Sequence, residues 1–362
     1  MRIAIIGPTH PYKGGIAHHT TELAHKLKKD GHDVQIISWS AQYPTFLYPG
    51  VQRVPDDKPE TSVYPETTYD LSWKNPAGWL KVGRRLRKYD VVVVVFVNSI
   101  QAPAYLTMLK ALGKNHKGQV IALCHNVLPH ERRFFDLPLT RAVLSRVDKL
   151  IVHTPAQADV AREITQTGIT TAEMPPHLPA KPKGKHDNAI KNHLLFFGLV
   201  RKYKGVDVLL RALAKVPDVR LTVAGEIWGG TEKYDTLITE LGLKDRVTLL
   251  PGYVPSQQIP ELFAAADALV LPYRSGTATQ NITLAHSHGI PVIATTVGSM
   301  GEQVRDGVDG LLCKPDNVTD LSKAIQKFYE PGVAAKLQQN VPKVDTDEKW
   351  KPYIAALLAE AE

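Results

Sequence analysis

Short β-branched runs alternate along this chain with stretches whose apolar residues recur every three or four positions. In the first half, Arg2–Ile6, Asp33–Ser38, Asp90–Val97, Gln119–His125 and Lys149–His153 read as strands. Ile16–Lys29, Leu80–Lys88 and Gln101–Leu112 between them read as amphipathic helices. The valine run Val91–Val95 has the pattern of a parallel strand buried on both faces. The alternation stops at Met174–Lys185, where four prolines, a glycine and three lysines exclude a helix or a central strand.

It then restarts. Strands are predicted at His193–Leu199, Arg220–Ala224, Arg246–Leu250, Ala268–Leu271 and Pro291–Ala294. Helices are predicted at Val206–Lys215, Glu232–Leu241, Ser256–Ala265, Ile282–His288, Thr319–Tyr329 and Val333–Asn340. A final helical pattern, Asp347–Glu362, has Trp350, Tyr353 and Leu357 on its apolar side and suits packing against the first half. The expected fold class is α/β with two Rossmann-like doubly wound domains. The expected divisions are 1–175, a linker at 176–186, a second domain at 187–345 and a crossover helix at 346–362.

Charge adds an asymmetry. Residues 1–180 carry 22 Lys/Arg against 15 Asp/Glu, and residues 181–362 carry 22 against 21. The excess in the first half points to an anionic partner, nucleic acid or an acidic membrane surface. No nucleic-acid-binding motif accompanies it, so nucleic acid is not the expected partner. Lys81–Lys88, preceded by Trp73 and Trp79, is a basic helix pattern, and Arg132-Arg133-Phe134-Phe135 a basic aromatic patch. Both fit either a solvated face or peripheral contact with an anionic bilayer. Cys124 and Cys313 lie far apart in apolar runs, as buried reduced thiols do, and not in the spacing of a disulfide framework or zinc site. The opening apolar run Ile3–Ile6 is too short for a signal-peptide core. A cytoplasmic protein, acting at the inner face of the membrane, is the expectation.

Three strand-to-helix loops carry the candidate chemistry. After the first strand, Gly7 to Gly15 ends in a glycine pair facing a helix start, an arrangement suited to close approach by an anion. The loop lacks the dinucleotide-binding glycine spacing, which argues against a nicotinamide-dependent dehydrogenase. The loop Gly198–Gly205 places Arg201, Lys202 and Lys204 where a helix macrodipole disfavours cations, unless an anion sits between them. The loop Pro272–Asn281 is rich in small and hydroxyl residues, as in a backbone nest for phosphate oxygens. The one Asp-x-Asp, Asp345-Thr-Asp347, reads as a helix cap and not a metal site.

The ordered run of motifs resembles the family-4 retaining glycosyltransferases, which have the GT-B fold. It is carried by GPTHPYKGGIAHHTTELAHKLKKDGHDV, LCHN, FFGLVRKYKGVDVLLRAL, VAGE, LLPGYVP, AAADALVLPYR and HGIPVIATTVGSMGEQVRDGVDGLL. Residues 41–90 match poorly. The resemblance implies two domains facing across a cleft, with the first on the acceptor side. It implies that Gly14 and Gly15 lie near the donor diphosphate and that His125 lies beside the transferred sugar. Arg201 and Lys204 would meet the diphosphate, and Tyr253 and Val254 would pack on the nucleobase. The Gln280–Ile282 backbone, with Asn281 between, would bind the distal phosphate.

His18, His19, His130 and Glu131 are the acceptor-side candidates. Two departures stand out. Leu199 replaces the family's arginine, leaving the charge to Arg201. Thr277 and Ala285 replace its two glutamates, of which the first meets the sugar and the second the ribose. Thr277, Gln280 or Asn281 could bond the sugar instead, whereas Ala285 cannot hold a ribose.

The implied activity moves a hexose, with retention and without metal or cofactor, from a nucleoside-diphosphate sugar to a glycan or lipid-linked hydroxyl. UDP-sugars and GDP-mannose are candidate donors, and cell-envelope polysaccharide is a candidate context. The alternative is a non-catalytic sugar-nucleotide- or glycan-binding protein that has lost the glutamate pair.

Overall fold

The computed structural model describes residues 1–44, 52–54, 62–113, 115–129, 133–177, 189–276 and 279–360. The chain divides into two compact units, Met1–Leu178 with Asp345–Glu362, and Pro179–Val344.

The first unit runs β1 (Arg2–Ile6), α1 (Gly15–Lys29), β2 (Asp33–Ala41), β3 (Thr67–Ser72), α2 (Pro76–Arg85), β4 (Val91–Phe96) and α3 (Ala102–Leu112). It continues with β5 (Gln119–Cys124), α4 (Asp136–Leu144), β6 (Lys149–Val152), α5 (Pro155–Arg162) and β7 (Gly168–Thr171). The sheet is parallel throughout, in the order β3-β2-β1-β4-β5-β6-β7. Its valine strand β4 is buried along its length, and successive side chains serve opposite cores. Val92 and Val94 join Leu86, Tyr105 and Met108 on one face, while Val91, Val93 and Val95 join Leu23, Leu27 and Trp350 on the other. Each valine so enclosed contributes about 1.5–3 kcal/mol, which is why a run without polar alternation is stable only at the centre of a sheet.

The second unit runs β8 (His193–Phe197), α6 (Val206–Leu213), β9 (Arg220–Gly225), α7 (Glu232–Glu240), β10 (Val247–Pro251), α8 (Ile259–Ala264) and β11 (Ala268–Leu271). Then come α9 (Asn281–Ser287), β12 (Val292–Thr295), α10 (Met300–Gln303), β13 (Gly310–Cys313), α11 (Val318–Phe328) and α12 (Val333–Gln339). Its parallel sheet has the order β10-β9-β8-β11-β12-β13.

The last helix, α13 (Thr346–Leu358), belongs to the first unit. Asp345 caps it by accepting from the Glu348 amide, and Asp347 pairs with Lys26 and Lys29 of α1. The indole of Trp350 donates to the Pro176 carbonyl at 3.0 Å. Lys149, 2% exposed, donates from Nζ to the carbonyls of Ala356 and Ala359 at 2.7 and 2.9 Å. A buried ammonium thus satisfies the carbonyls that a helix end leaves unpaired.

The chain pattern missed β3, β7 and β13, and also α4, α5 and the short α10. The three strands lie at sheet edges. An edge strand can be held by pairing on one side while its other groups face water, so β3, with sequence TTYDLS, needs no apolar alternation. Strand β8 ends at Phe197, two residues short of the expected end, because Gly198 takes a positive φ of 110° and turns the chain. The helix expected at Ser256–Ala265 becomes a 3-10 turn, Ser256–Gln258, followed by α8. Both cysteines are free and buried, and burial pushes each thiol up to about 12.

Candidate functional site

In a parallel sheet, ligands gather where the strand order reverses, at the carboxyl ends of the strands. In the second unit this point lies between β8 and β11, each of which continues into one of the loops singled out above. The loop after β8 holds a single 3-10 turn, Lys202–Lys204, and then Gly205 in a left-handed conformation at the N-terminus of α6. A Cβ on Gly205 would come within 2.0 Å of the Pro272 carbonyl oxygen, so only glycine lets the two loops touch.

Two cations stand on aromatic rings here. The Arg201 guanidinium lies 4.6 Å from the Trp228 ring and 5.7 Å from that of Tyr203. The Lys204 ammonium lies 5.1 Å from the ring of Tyr273. Burial works against the Lys204 charge, but Tyr273 and Tyr203 outweigh it and its pKa is raised. Cation–π contact holds such groups in place, and it sets both cations at the switch point.

The loop after β11 meets this turn through Arg274, whose amide donates to the Tyr203 carbonyl at 2.7 Å. Asn281, buried at the start of α9, donates from Nδ2 to the Phe197 carbonyl at 2.8 Å. It ties α9 to the end of β8. Gln280 is half-buried and Ile282 buried beside it. Tyr253 and Val254 are half-buried in the loop following β10. Ala285 lies fully buried within α9, with no carboxylate at its position. Thr277 lies outside the described residues.

In the first unit, Gly14 and Gly15 are exposed at the start of α1, with Gly14 at a φ of 101°. A Cβ on Gly15 would meet His177 Nε2 at 3.3 Å. His125 follows β5, and its carbonyl accepts from Gln157 Nε2 at 2.8 Å. Its ring is part of a buried histidine cluster that the sequence did not announce. The His19 ring centroid lies 4.9 Å from that of His125, 5.3 Å from His177 and 6.0 Å from His153. Trp350 of α13 stacks on His19 at 5.3 Å, and Tyr353 stacks on His153 at 5.9 Å.

Burial, with the neighbouring imidazoles second, lowers His18 to about 3 and takes His19 and His125 well below the ordinary histidine value. Burial lowers His153 and His177 to about 4 each. All five are neutral at pH 7. Of the α1 pair, His18 keeps a little exposure, whereas His19 is enclosed under α13. His130 and Glu131 lie outside the described residues.

Of the basic helix pattern, Arg85 is paired with Asp70 and Arg87 donates to the carbonyls of Ala111 and Leu112. Lys81, Arg84 and Lys88 are exposed, as are Trp73 and Leu80. Phe134 is 95% exposed beside Arg133. Among the described residues no group of histidine, cysteine, aspartate or glutamate side chains is arranged to hold a metal ion. No described helix is long and apolar enough to cross a membrane.

Sequence reasoning singled out the cations but not the rings that hold them. Trp228 lies two residues beyond the VAGE motif, and Tyr273 sits inside the third loop. An aromatic residue in a strand-end loop was the only available signal. His153 directly follows β6 as His125 directly follows β5, which places both at the carboxyl end of neighbouring parallel strands.

Two doubly wound parallel sheets are the fold class of the GT-B glycosyltransferases. Residues 13–169 match the family described as Glycosyltransferase Family 4, and residues 180–344 the family described as Glycosyl transferases group 1. The chain belongs to this family of glycosyltransferases. It is 34% identical over 168 residues to a D-inositol 3-phosphate glycosyltransferase of Mycolicibacterium smegmatis, a match covering 45% of this chain and 38% of that relative. The chain thus spans well under half the length of that relative.

Solved structures share the fold over almost the whole chain. Anabaena Alr3699/HepE in complex with UDP and glucose aligns with a TM-score of 0.71 at 18% identity, covering 98% of this chain and all of that one. TarM aligns with a TM-score of 0.71 at 13% identity, covering 99% of each chain.

Proposed function

We propose that this chain is a retaining hexosyltransferase. It would take its sugar from a nucleoside diphosphate, a UDP-sugar ahead of GDP-mannose, and need neither metal nor cofactor. The observation that carries this reading is the cation pair at the β8–β11 switch point, Arg201 on Trp228 and Lys204 on Tyr273. Support for the donor class comes from the UDP named in the HepE complex, and support for the reaction class from family membership.

As the glycosidic bond breaks, charge grows on the distal phosphate. Arg201 and Lys204 stabilise that charge, and preorganised contacts of this kind act most strongly in the transition state. The Gln280–Ile282 backbone cradles the same phosphate, and Tyr253 and Val254 flank the base. Neutral His125 lies beside the sugar. The leaving phosphate takes the acceptor proton on the face from which it departs, so retention needs no protein nucleophile.

The acceptor is a glycan or a lipid-linked hydroxyl bound by the first unit, at the cytoplasmic face of a membrane. Exposed Trp73, Leu80 and Phe134 among Lys81, Arg84 and Arg133 supply apolar anchors and positive charge for an anionic bilayer surface.

A second reading, a sugar-nucleotide-binding protein without turnover, draws on Ala285, which leaves no carboxylate for a ribose. One assay separates them: nucleoside-diphosphate release from UDP-, GDP-, ADP- and dTDP-sugars by the wild type and Lys204→Ala. Release from one donor class, reduced in the variant by roughly a hundred- to a thousandfold, supports the transferase. Nucleotide binding without release from any donor favours the binding protein.

A further inference from the structure

The loops after β8 and β11 are joined by one side chain to which the sequence assigned no role. Arg274 sits two residues beyond the Pro272 carbonyl that abuts Gly205. Its guanidinium is shared among three elements. Nη1 and Nη2 meet both carboxylate oxygens of Asp207, in the first turn of α6, at 2.8 and 2.7 Å. Nε meets Asp316, ahead of α11, at 2.8 Å. Nη1 also donates to the carbonyl of Lys202 at 2.9 Å, while the Arg274 amide donates to that of Tyr203. Two successive carbonyls of the turn that ends in Lys204 are therefore held by one residue. The planar fork is filled by fixed partners, and a lysine could not reproduce it. The neighbouring Tyr273 carries the Lys204 ammonium on its ring.

We propose that Arg274 is a positioning residue: it pins the Lys202–Lys204 turn to the loop after β11, so that Lys204 and Arg201 are preset for a diphosphate before it binds. This rests, for its functional half, on the reading of Lys204 as a donor-diphosphate contact. The structural half stands on the hydrogen bonds alone. Asp207 and Asp316 matter through Arg274, since they fix the guanidinium that holds the turn.

The test has two arms. In the first, hydrogen exchange is followed without ligand in the wild type, Arg274→Ala and Arg274→Lys. The Lys204 and Gly205 amides, which close the turn onto the Arg201 and Lys202 carbonyls, should exchange about tenfold faster in Arg274→Ala. Arg274→Lys should fall between, and the amides of β9 should keep their rate. Unchanged exchange at Lys204 and Gly205 overturns the proposal, and the lysine variant decides it should the alanine variant not fold.

The second arm measures UDP affinity by calorimetry in Arg274→Ala, Lys204→Ala and the double variant. Residues acting through one another are non-additive. Losing Arg274 should weaken binding about tenfold in the wild type and less than about threefold once Lys204 is gone. Equal losses in both backgrounds overturn the positioning role, because a merely structural residue would cost the same in each. Absence of UDP binding by the wild type would count against the donor reading instead, and hydrogen exchange at Lys204 and Gly205 would still decide whether Arg274 holds the turn.

Discussion

Gly205 offers a sharp test of how closely the loops after β8 and β11 must approach. Its φ is +67°, and an added Cβ would lie 2.0 Å from the Pro272 carbonyl oxygen. Gly242, in the same unit, has nearly the same φ, +65°, but nothing within 4 Å of its would-be Cβ. The two substitutions to alanine therefore share a backbone term and differ in the collision.

An L-residue in the left-handed region costs about 1–2 kcal/mol, and this is the whole cost expected for Gly242→Ala. Gly205→Ala must in addition push the Pro272 carbonyl aside, an overpacking cost of about 1–3 kcal/mol. Urea unfolding of both variants, read as midpoint shifts at constant slope, should place Gly205→Ala below Gly242→Ala by at least about 1 kcal/mol. Equal midpoints would refute the argument that the loops are in obligatory contact. A Gly205→Ala protein that loses stability yet keeps wild-type UDP affinity would show that the contact does not set the Lys204 position.

Two further expectations concern the first unit. His18, His19, His125, His153 and His177 have folded-state pKa values below their unfolded ones. Their contribution is thus fully present above about pH 6.5 and is lost as pH falls toward their folded values, each removing up to about 1.4 kcal/mol per pH unit in that window. Fluorescence-monitored urea unfolding at pH 7, 6 and 5 should show the loss, and a flat profile would mean that the cluster is not neutral and buried. Separately, Lys149→Met leaves two carbonyls at the end of α13 without their ammonium, at a cost of about 1.5–3 kcal/mol. Limited proteolysis should then release the C-terminal segment sooner than in the wild type, and identical digestion would show that α13 does not depend on Lys149.

The chain pattern carried most of the architecture because central parallel strands must be apolar on both faces. Val91–Val95, Ala268–Leu271 and the strand opening at Arg2 all fell where expected. Edge position explains the failures at Thr67–Ser72 and Gly168–Thr171, half-exposed strands held by backbone pairing that leaves little mark on side-chain pattern. Gly310–Cys313 is largely buried, but its short apolar run has no periodicity that separates a strand from a buried helix segment. At the site, Arg201 and Lys204 were legible because cations at a helix start need a reason. Their partners were not, since Trp228 and Tyr273 come from other loops and an isolated aromatic residue carries no sign of what it will face.

What the amino-acid sequence determined alone is therefore periodic or local: two α/β halves, glycine turns at strand ends, a capped final helix at Asp345 and charge where a helix dipole resists it. Tertiary structure alone decided which distant residues share one place. It put His19, His125, His153 and His177 together under Trp350, and Asp207, Arg274 and Asp316 together around the turn that carries Lys204. Periodicity is written by neighbours in the chain. A buried polar cluster or a shared guanidinium is set by residues separated by tens to hundreds of positions, whose pairing only the closed fold enforces.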